Sequence, residues 1–199
     1  MSEQSQEQPA HQHPIRLVVN DDRTRSRLTV FFRWLLAIPH VIWLVVWGIA
    51  VHVAVLIAWF ATLFTGRCPD GLHAFIARYL RYLTHVSAYL FLIANPYPRF
   101  GGRIEYAIDL EVDPAEPQNR LVTFFRIVLA IPALIVASVL HQVLAIVALL
   151  GWFTCLAIGR MPKGMRDLAA YCLRYELQTC AYLYLLTARY PSFVGTPMA

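Results

Sequence analysis

The chain has 199 residues, of which 58% are hydrophobic and only 15% charged, whereas ordinary soluble domains carry about 25% charged residues. This balance and the long apolar runs exclude a conventional water-soluble domain and point to the membrane class. The net charge is +5, from Lys+Arg 17 against Asp+Glu 12. The arginines flank apolar segments instead of forming a soluble basic face, so a nucleic-acid partner is excluded and anionic headgroups are favoured.

Residues 1–13 are polar, rich in Gln, Glu and Ser, and lack both a basic n-region and an apolar h-region. They read as a disordered tail, not a cleavable signal. From Pro14 to Asn20, Ile15, Leu17 and Val19 alternate with Arg16, Val18 and Asn20, the period of a short strand. The run from Leu28 to Phe64 is predominantly apolar. As one helix it would reach about 55 Å, against a hydrocarbon core of about 30 Å. Proline disfavours helix at the residue before it, so Pro39 divides the run into an interfacial helix over Arg27–Ile38 and a first span over Pro39–Phe64. The alternative is a single kinked, tilted helix whose arginines snorkel. Gly66-Arg67-Cys68-Pro69 ends that span, with glycine suited to the left-handed cap. A second span is expected from Leu72 to Ile93, stopped by Asn95-Pro96 and closed by the aromatic anchor Tyr97-Pro98-Arg99-Phe100.

The whole arrangement then recurs. Arg27-Leu28-Thr29-Val30-Phe31-Phe32-Arg33 returns as Arg120-Leu121-Val122-Thr123-Phe124-Phe125-Arg126, an offset of 93 residues. Without a gap, the same offset carries Trp59-Phe60 onto Trp152-Phe153, Gly66-Arg67 onto Gly159-Arg160, Arg81-Tyr82 onto Arg174-Tyr175 and Tyr97-Pro98 onto Tyr190-Pro191. A period this long marks a duplicated module, not a solenoid. In the second copy the strand is stronger, with Ile104, Tyr106, Ile108, Leu110 and Val112 alternating with polar neighbours, and a last helix is expected from Met165 to Thr187. The predicted fold is an all-α integral membrane protein of four transmembrane helices. They form two tandem parallel repeats (14–100 and 101–194, with a tail over 195–199), each carrying a short cytoplasmic β-strand and an interfacial helix. The strands around Leu17 and Leu110 are expected to pair antiparallel across a pseudo-twofold axis. The arginine bias places both termini in the cytoplasm, at the inner membrane.

Arg-Leu-x-x-Phe-Phe-Arg-Trp-Leu-Leu-Ala-Ile-Pro-His, then Trp-Phe-x-x-Leu-Phe-Thr-Gly-Arg-x-Pro-x-Gly-Leu, Ala-Tyr-x-x-Leu and Tyr-Pro-x-Phe, resembles the bacterial domain-of-unknown-function family 4389. The likeness covers Pro14–Phe100 and Ile104–Phe193. The second copy departs at Ala133, where the first has His40, and at Ala157-Ile158, where the first has Phe64-Thr65. The resemblance implies a small integral membrane protein and brings no established activity or catalytic residues.

Arg81 and Arg174 are the candidate site. Both lie inside apolar helical sequence, where a charge is costly and must find a partner, face the interior or snorkel. They could form a cationic lipid- or anion-binding site between the repeats, with Tyr82 and Tyr175 beside them and Glu176 as neutraliser. Arg67 and Arg160, beside helix ends, could hold phosphates, while Arg27, Arg33, Arg120 and Arg126 read as interfacial anchors. The cysteines Cys68, Cys155, Cys172 and Cys180 lack metal or redox spacing and read as free thiols. His-x-x-x-His, Walker A and nucleophile-elbow patterns are missing, so neither a metal nor a cofactor is expected. The reading is a non-enzymatic membrane protein that binds lipid headgroups or serves as an accessory or envelope component, alone or as a homo-oligomer. The alternatives are a small lipid or solute transporter and a lipid-processing enzyme.

Overall fold

The computed structural model describes residues 13–19, 25–101 and 106–193. These form β1 (Ile15–Val19), α1 (Arg27–Phe31), α2 (Arg33–Thr65), α3 (Asp70–Leu90), β2 (Ile108–Val112), α4 (Arg120–Phe124), α5 (Arg126–Ile158) and α6 (Lys163–Leu183). The fold is mostly helical, with one two-stranded ribbon.

β1 and β2 pair antiparallel with Leu17 opposite Leu110 and Ile15 opposite Val112. Leu17 and Leu110 are equivalent in the repeat, so a local two-fold axis passes between them, as the pairing expected from sequence requires. The alternation puts Ile15, Ile108 and Leu110 inside, while Arg16 reaches across to Glu111 at 3.1 Å on the outer face. The earlier part of the predicted second strand and Asn20 fall partly outside the described residues, as do most of the N-terminal tail and the C-terminal one.

Two boundaries differ from expectation. The elbow lies at Phe32 and Phe125, not at the prolines. Phe32 (φ −88°, ψ 6°) and Phe125 (φ −87°, ψ 7°) separate the short amphipathic helices from the long ones, and Pro39 and Pro132 sit inside α2 and α5. Proline removes one N–H and frees the carbonyl four residues earlier; here that residue is Leu35, on the exposed side of α2. The turn at Phe32 keeps Phe31 and Phe32 outward while Arg33 points into the protein. The second boundary is that α3 and α6 end at Leu90 and Leu183, short of the expected Ile93 and Thr187. Leu92 and Leu185 then adopt positive φ, 62° and 63°. At the other end of the hairpins, Gly66 (φ 78°) and Gly159 (φ 74°) supply the left-handed caps anticipated.

Four spans are not supported. α2 and α5 are long and apolar enough to cross a membrane, but α3 and α6 are not. α3 carries Asp70, His73, Arg78, Arg81 and His85, and α6 carries Lys163, Arg166, Asp167, Arg174 and Glu176. Only 28% of the most apolar stretch of α2 and 22% of that of α5 is buried, unlike the core helix of a water-soluble fold. α2 packs on α3, α5 on α6, and α3 on α6, while α2 and α5 do not pack on each other. The ribbon lies on α3 and α6.

The repeats interlock. The Arg25 N–H donates to the Gly159 carbonyl at 3.0 Å, and the Gln118 N–H to the Gly66 carbonyl at 2.8 Å. The Trp59 indole donates to Thr123 O at 2.9 Å, and the Trp152 indole to Val30 O at 3.1 Å. Each long helix therefore ends against the first turns of the other repeat.

Candidate functional site

The long helices are held by buried guanidiniums. Arg33, 1% exposed, donates from Nη1 to Tyr89 O at 2.6 Å and Ala94 O at 3.2 Å, and its Cζ lies 4.3 Å from the Tyr89 ring centroid. Arg126 repeats this on Tyr182 O and Thr187 O, 4.6 Å above the Tyr182 ring, with Gln118 Oε1 as a further acceptor at 2.6 Å. Arg25 bonds Leu92 O and Ile93 O; its equivalent Gln118 bonds Leu185 O. Helix C-termini expose unpaired carbonyls and a partial negative charge, and these groups answer both. Expected to be interfacial anchors, Arg33 and Arg126 are instead buried internal caps, because their Nη1 groups are taken up by backbone carbonyls. Arg27 and Arg120 remain exposed, Arg27 donating to Ala157 O at 3.0 Å.

On that frame α2 buries one narrow stripe: Arg33, Ala37, His40, Leu44, Gly48, Val51, Ala54, Ala58 and Thr62. Most of the remaining positions of α2, from Trp34 to Phe64, carry large exposed apolar side chains, as do about half of those of α5, from Ile127 to Ile158. Leu28 and Phe31 of α1, Leu121 and Phe124 of α4, and the elbow residues Phe32 and Phe125 continue the surface. On α3 and α6 only Leu168 is an exposed large apolar residue. Among the helices, exposed large apolar side chains are thus concentrated on α1, α2, α4 and α5, far beyond the patch a soluble monomer carries.

A cavity of about 560 Å³ opens in the first repeat between α2 and α3, lined by Trp43, Val46, Trp47, Ala50, Phe75, Arg78, Phe100 and Gly101. Trp47 touches Phe75, Tyr79 and Tyr82 edge-on or tilted. His40 stands beneath, 2.6 Å from the Tyr82 hydroxyl and stacked on Phe100. Arg78 is exposed and joins no hydrogen bond or ion pair among the described residues. The second repeat has Val136, Leu140, Leu168 and Tyr171 where the first has Trp43, Trp47, Phe75 and Arg78, so the groove belongs to one copy.

The residues singled out from sequence are not brought together. Arg81 is half-buried and bonds Leu110 O and Asp109 at 3.2 Å. Arg174 lies over Tyr171 and donates to Phe193 O at 3.2 Å. No hydrogen bond or ion pair links the two. Glu176 neutralises neither arginine; it meets His141 at 3.3 Å. Tyr82 serves His40, and Tyr175 stacks on Phe193 at 4.8 Å. Arg67 is paired with Asp70 at 3.1 Å on the surface, and Arg160 is exposed. Sequence reasoning missed Arg25, Gln118 and the inward role of Arg33 and Arg126. The available signal was the stripe of small and polar residues continuing from Arg33 along an otherwise bulky apolar helix, which marks the side that meets protein.

The profile of the family described as Domain of unknown function (DUF4389) matches residues 27–101 and again 120–195. The two matches take in most of the chain, which therefore belongs to that family as two tandem copies. No curated protein and no solved structure matches.

Proposed function

We propose that this member of the DUF4389 family is a non-catalytic membrane protein that binds lipid directly and serves as an accessory component at the cell membrane. The observation that supports this most is the segregation of exposed apolar side chains onto α1, α2, α4 and α5, against the polar ribbon and α3 and α6. A surface of that kind is stable only when covered by hydrocarbon. The arginines around it favour an anionic, cytoplasmic leaflet. The aromatic groove holds the headgroup end of one anionic lipid, with Arg78 on the phosphate and Trp43, Trp47 and Phe100 along the chain. A guanidinium is suited to bidentate contact with phosphate.

The test has two parts. Membranes washed with alkaline carbonate should retain the protein until detergent is added; release by the wash alone would refute the membrane reading. Native mass spectrometry of protein extracted in nanodiscs should show a bound anionic lipid in wild type and in Arg67→Ala, and its loss in Arg78→Ala. Equal retention in all three would remove the groove from the proposal.

A further inference from the structure

The geometry points to a protein that lies in one leaflet, with α2 and α5 parallel to the membrane plane instead of crossing it; this rests on the membrane reading above. Contacts at the helix ends fix the direction of the symmetry axis. At one end of the α3/α6 pair, His73 Nε2 near the start of α3 is 3.2 Å from Leu186 O, just past α6. At the other end, Leu92, just past α3, and Met161, just before α6, both lie against Gly151. α3 and α6 are therefore antiparallel. The same holds for α2 and α5, because Gly66 meets Gln118 while Gly159 meets Arg25. A two-fold rotation makes two equivalent helices antiparallel only when its axis is perpendicular to both. That axis runs between Leu17 and Leu110, through the ribbon.

The ribbon sits over the middle of these helices, not beyond their ends. Arg81, half-way along α3, bonds Leu110 O, and Gln178 of α6 bonds Ile15 O at 3.3 Å. If α2 and α5 stood upright across a bilayer, the ribbon would lie at hydrocarbon depth. There its outer face carries Arg16, Glu111 and Asp113, with side chains 37%, 53% and 40% exposed, and its strand edges would be unpaired. Irregular or open-edged backbone is not tolerated against lipid, and exposed charges at that depth are disfavoured.

Turning the axis to the membrane normal removes both conflicts. The ribbon then faces water, and the apolar flanks of α2 and α5 lie in the leaflet, as membrane-surface helices do. Length agrees: 33 residues in each helix reach about 50 Å, well beyond a hydrocarbon core of about 30 Å, a mismatch that matters only to a spanning helix. The exposed Arg27 and Arg160 lie near one end of α2, and Arg67 and Arg120 near the other; all four then reach headgroups of the same leaflet.

The experiment uses the full chain with its four cysteines replaced and single cysteines at Ser26→Cys, Asp70→Cys and Glu111→Cys, just ahead of α1, at the start of α3 and in the ribbon, so that the first two bracket α2. An impermeant maleimide is applied to intact cells and to inverted vesicles. All three should label from one and the same side. Labelling of Ser26→Cys and Asp70→Cys from opposite sides would establish a span and overturn the inference while leaving the membrane reading intact. Failure of the protein to remain with carbonate-washed vesicles would instead remove the membrane reading itself. As a check independent of labelling, a fluorophore on Val41→Cys, Ile49→Cys and Ile57→Cys should be quenched to similar extents by lipids brominated at one depth. A quenching profile peaking at Ile49→Cys for deep bromines and falling on both sides would mean a crossing helix.

Discussion

Truncating a buried guanidinium tests the frame directly. Arg33→Ala removes the donors from Tyr89 O and Ala94 O and the cation over the Tyr89 ring. Ala94 O is left without that donor, at about 1–3 kcal/mol. Tyr89 O keeps the Leu92 N–H at 3.2 Å but loses a bond to a charged donor, about 1.5–3 kcal/mol. The lost cation–π contact costs about 0.5–2 kcal/mol. Removing a desolvated charge returns part of this. The net loss is about 3–5 kcal/mol, which for a chain of this size lowers the melting temperature by roughly 10 °C. Arg126→Ala should behave alike, because the same geometry is rebuilt on Tyr182 and Thr187. Arg33→Lys should fall between: an ammonium has donors enough for the carbonyls, but it does not stack on the Tyr89 ring as the planar guanidinium does. Arg27→Ala, at an exposed position, should change stability by no more than about 0.5 kcal/mol. The assay is thermal unfolding in one detergent, followed by size-exclusion of the remaining folded fraction. If Arg33→Ala melted with Arg27→Ala, the carbonyls would have other partners and the capping argument would fail.

Gly66→Ala and Gly159→Ala should each cost about 1–2 kcal/mol, because both sites hold positive φ. Gly164→Ala, where no atom lies within 4 Å of an added Cβ and φ is not positive, should be neutral or stabilising, and the same melting assay separates them. Burial pushes the His85 pKa below 6.5, outweighing the hydrogen bond and charge of Asp109, and nearby Arg81 pushes the same way. The folded state thus resists protonation more than the unfolded chain does. Stability should be unaffected by this group above pH 6.5 and decline as pH falls below it. His85→Gln, the residue already present at the equivalent Gln178, should flatten that decline, and a pH series of melting curves reads it.

Much of the fold was legible because the chain is written twice. The offset that aligns Gly66 with Gly159 located both left-handed caps, and the alternation at Ile15–Val19 and Ile108–Val112 gave strands whose equivalence fixed their antiparallel pairing. Proline was the wrong punctuation mark, since α2 runs through Pro39 without ending, as membrane-type helices allow. The spans were miscounted for a related reason. α3 and α6 read as apolar hairpin arms when scanned for hydrophobic runs, yet polar side chains on them meet the ribbon and the segment past the partner helix, as Arg81 meets Asp109 and His73 meets Leu186. Arg81 and Arg174 stood out because they interrupt apolar sequence. The groove at Trp43, Trp47 and Arg78 did not, because its members come from two helices and one loop and only proximity unites them.

The interlocking of the repeats carries a consequence for assembly. β1 of the first repeat lies on α6 of the second, and β2 of the second on α3 of the first. The end of α2 is closed by Gln118, and the end of α5 by Arg25. A single repeat would thus leave a strand edge, a helix terminus and a tryptophan donor without partners, each unfavourable when buried. Residues 1–101 expressed alone should not give a stable monomer. Two copies could satisfy the same contacts by exchange, so a homodimer is the expected folded form, and co-expression with residues 102–199 should restore the two-part complex in its place. Size-exclusion with light scattering, combined with limited trypsin digestion, distinguishes these outcomes. A monomeric 1–101 fragment as resistant to trypsin as the intact chain would show that each copy folds independently, and the cross-repeat hydrogen bonds would then be incidental to stability.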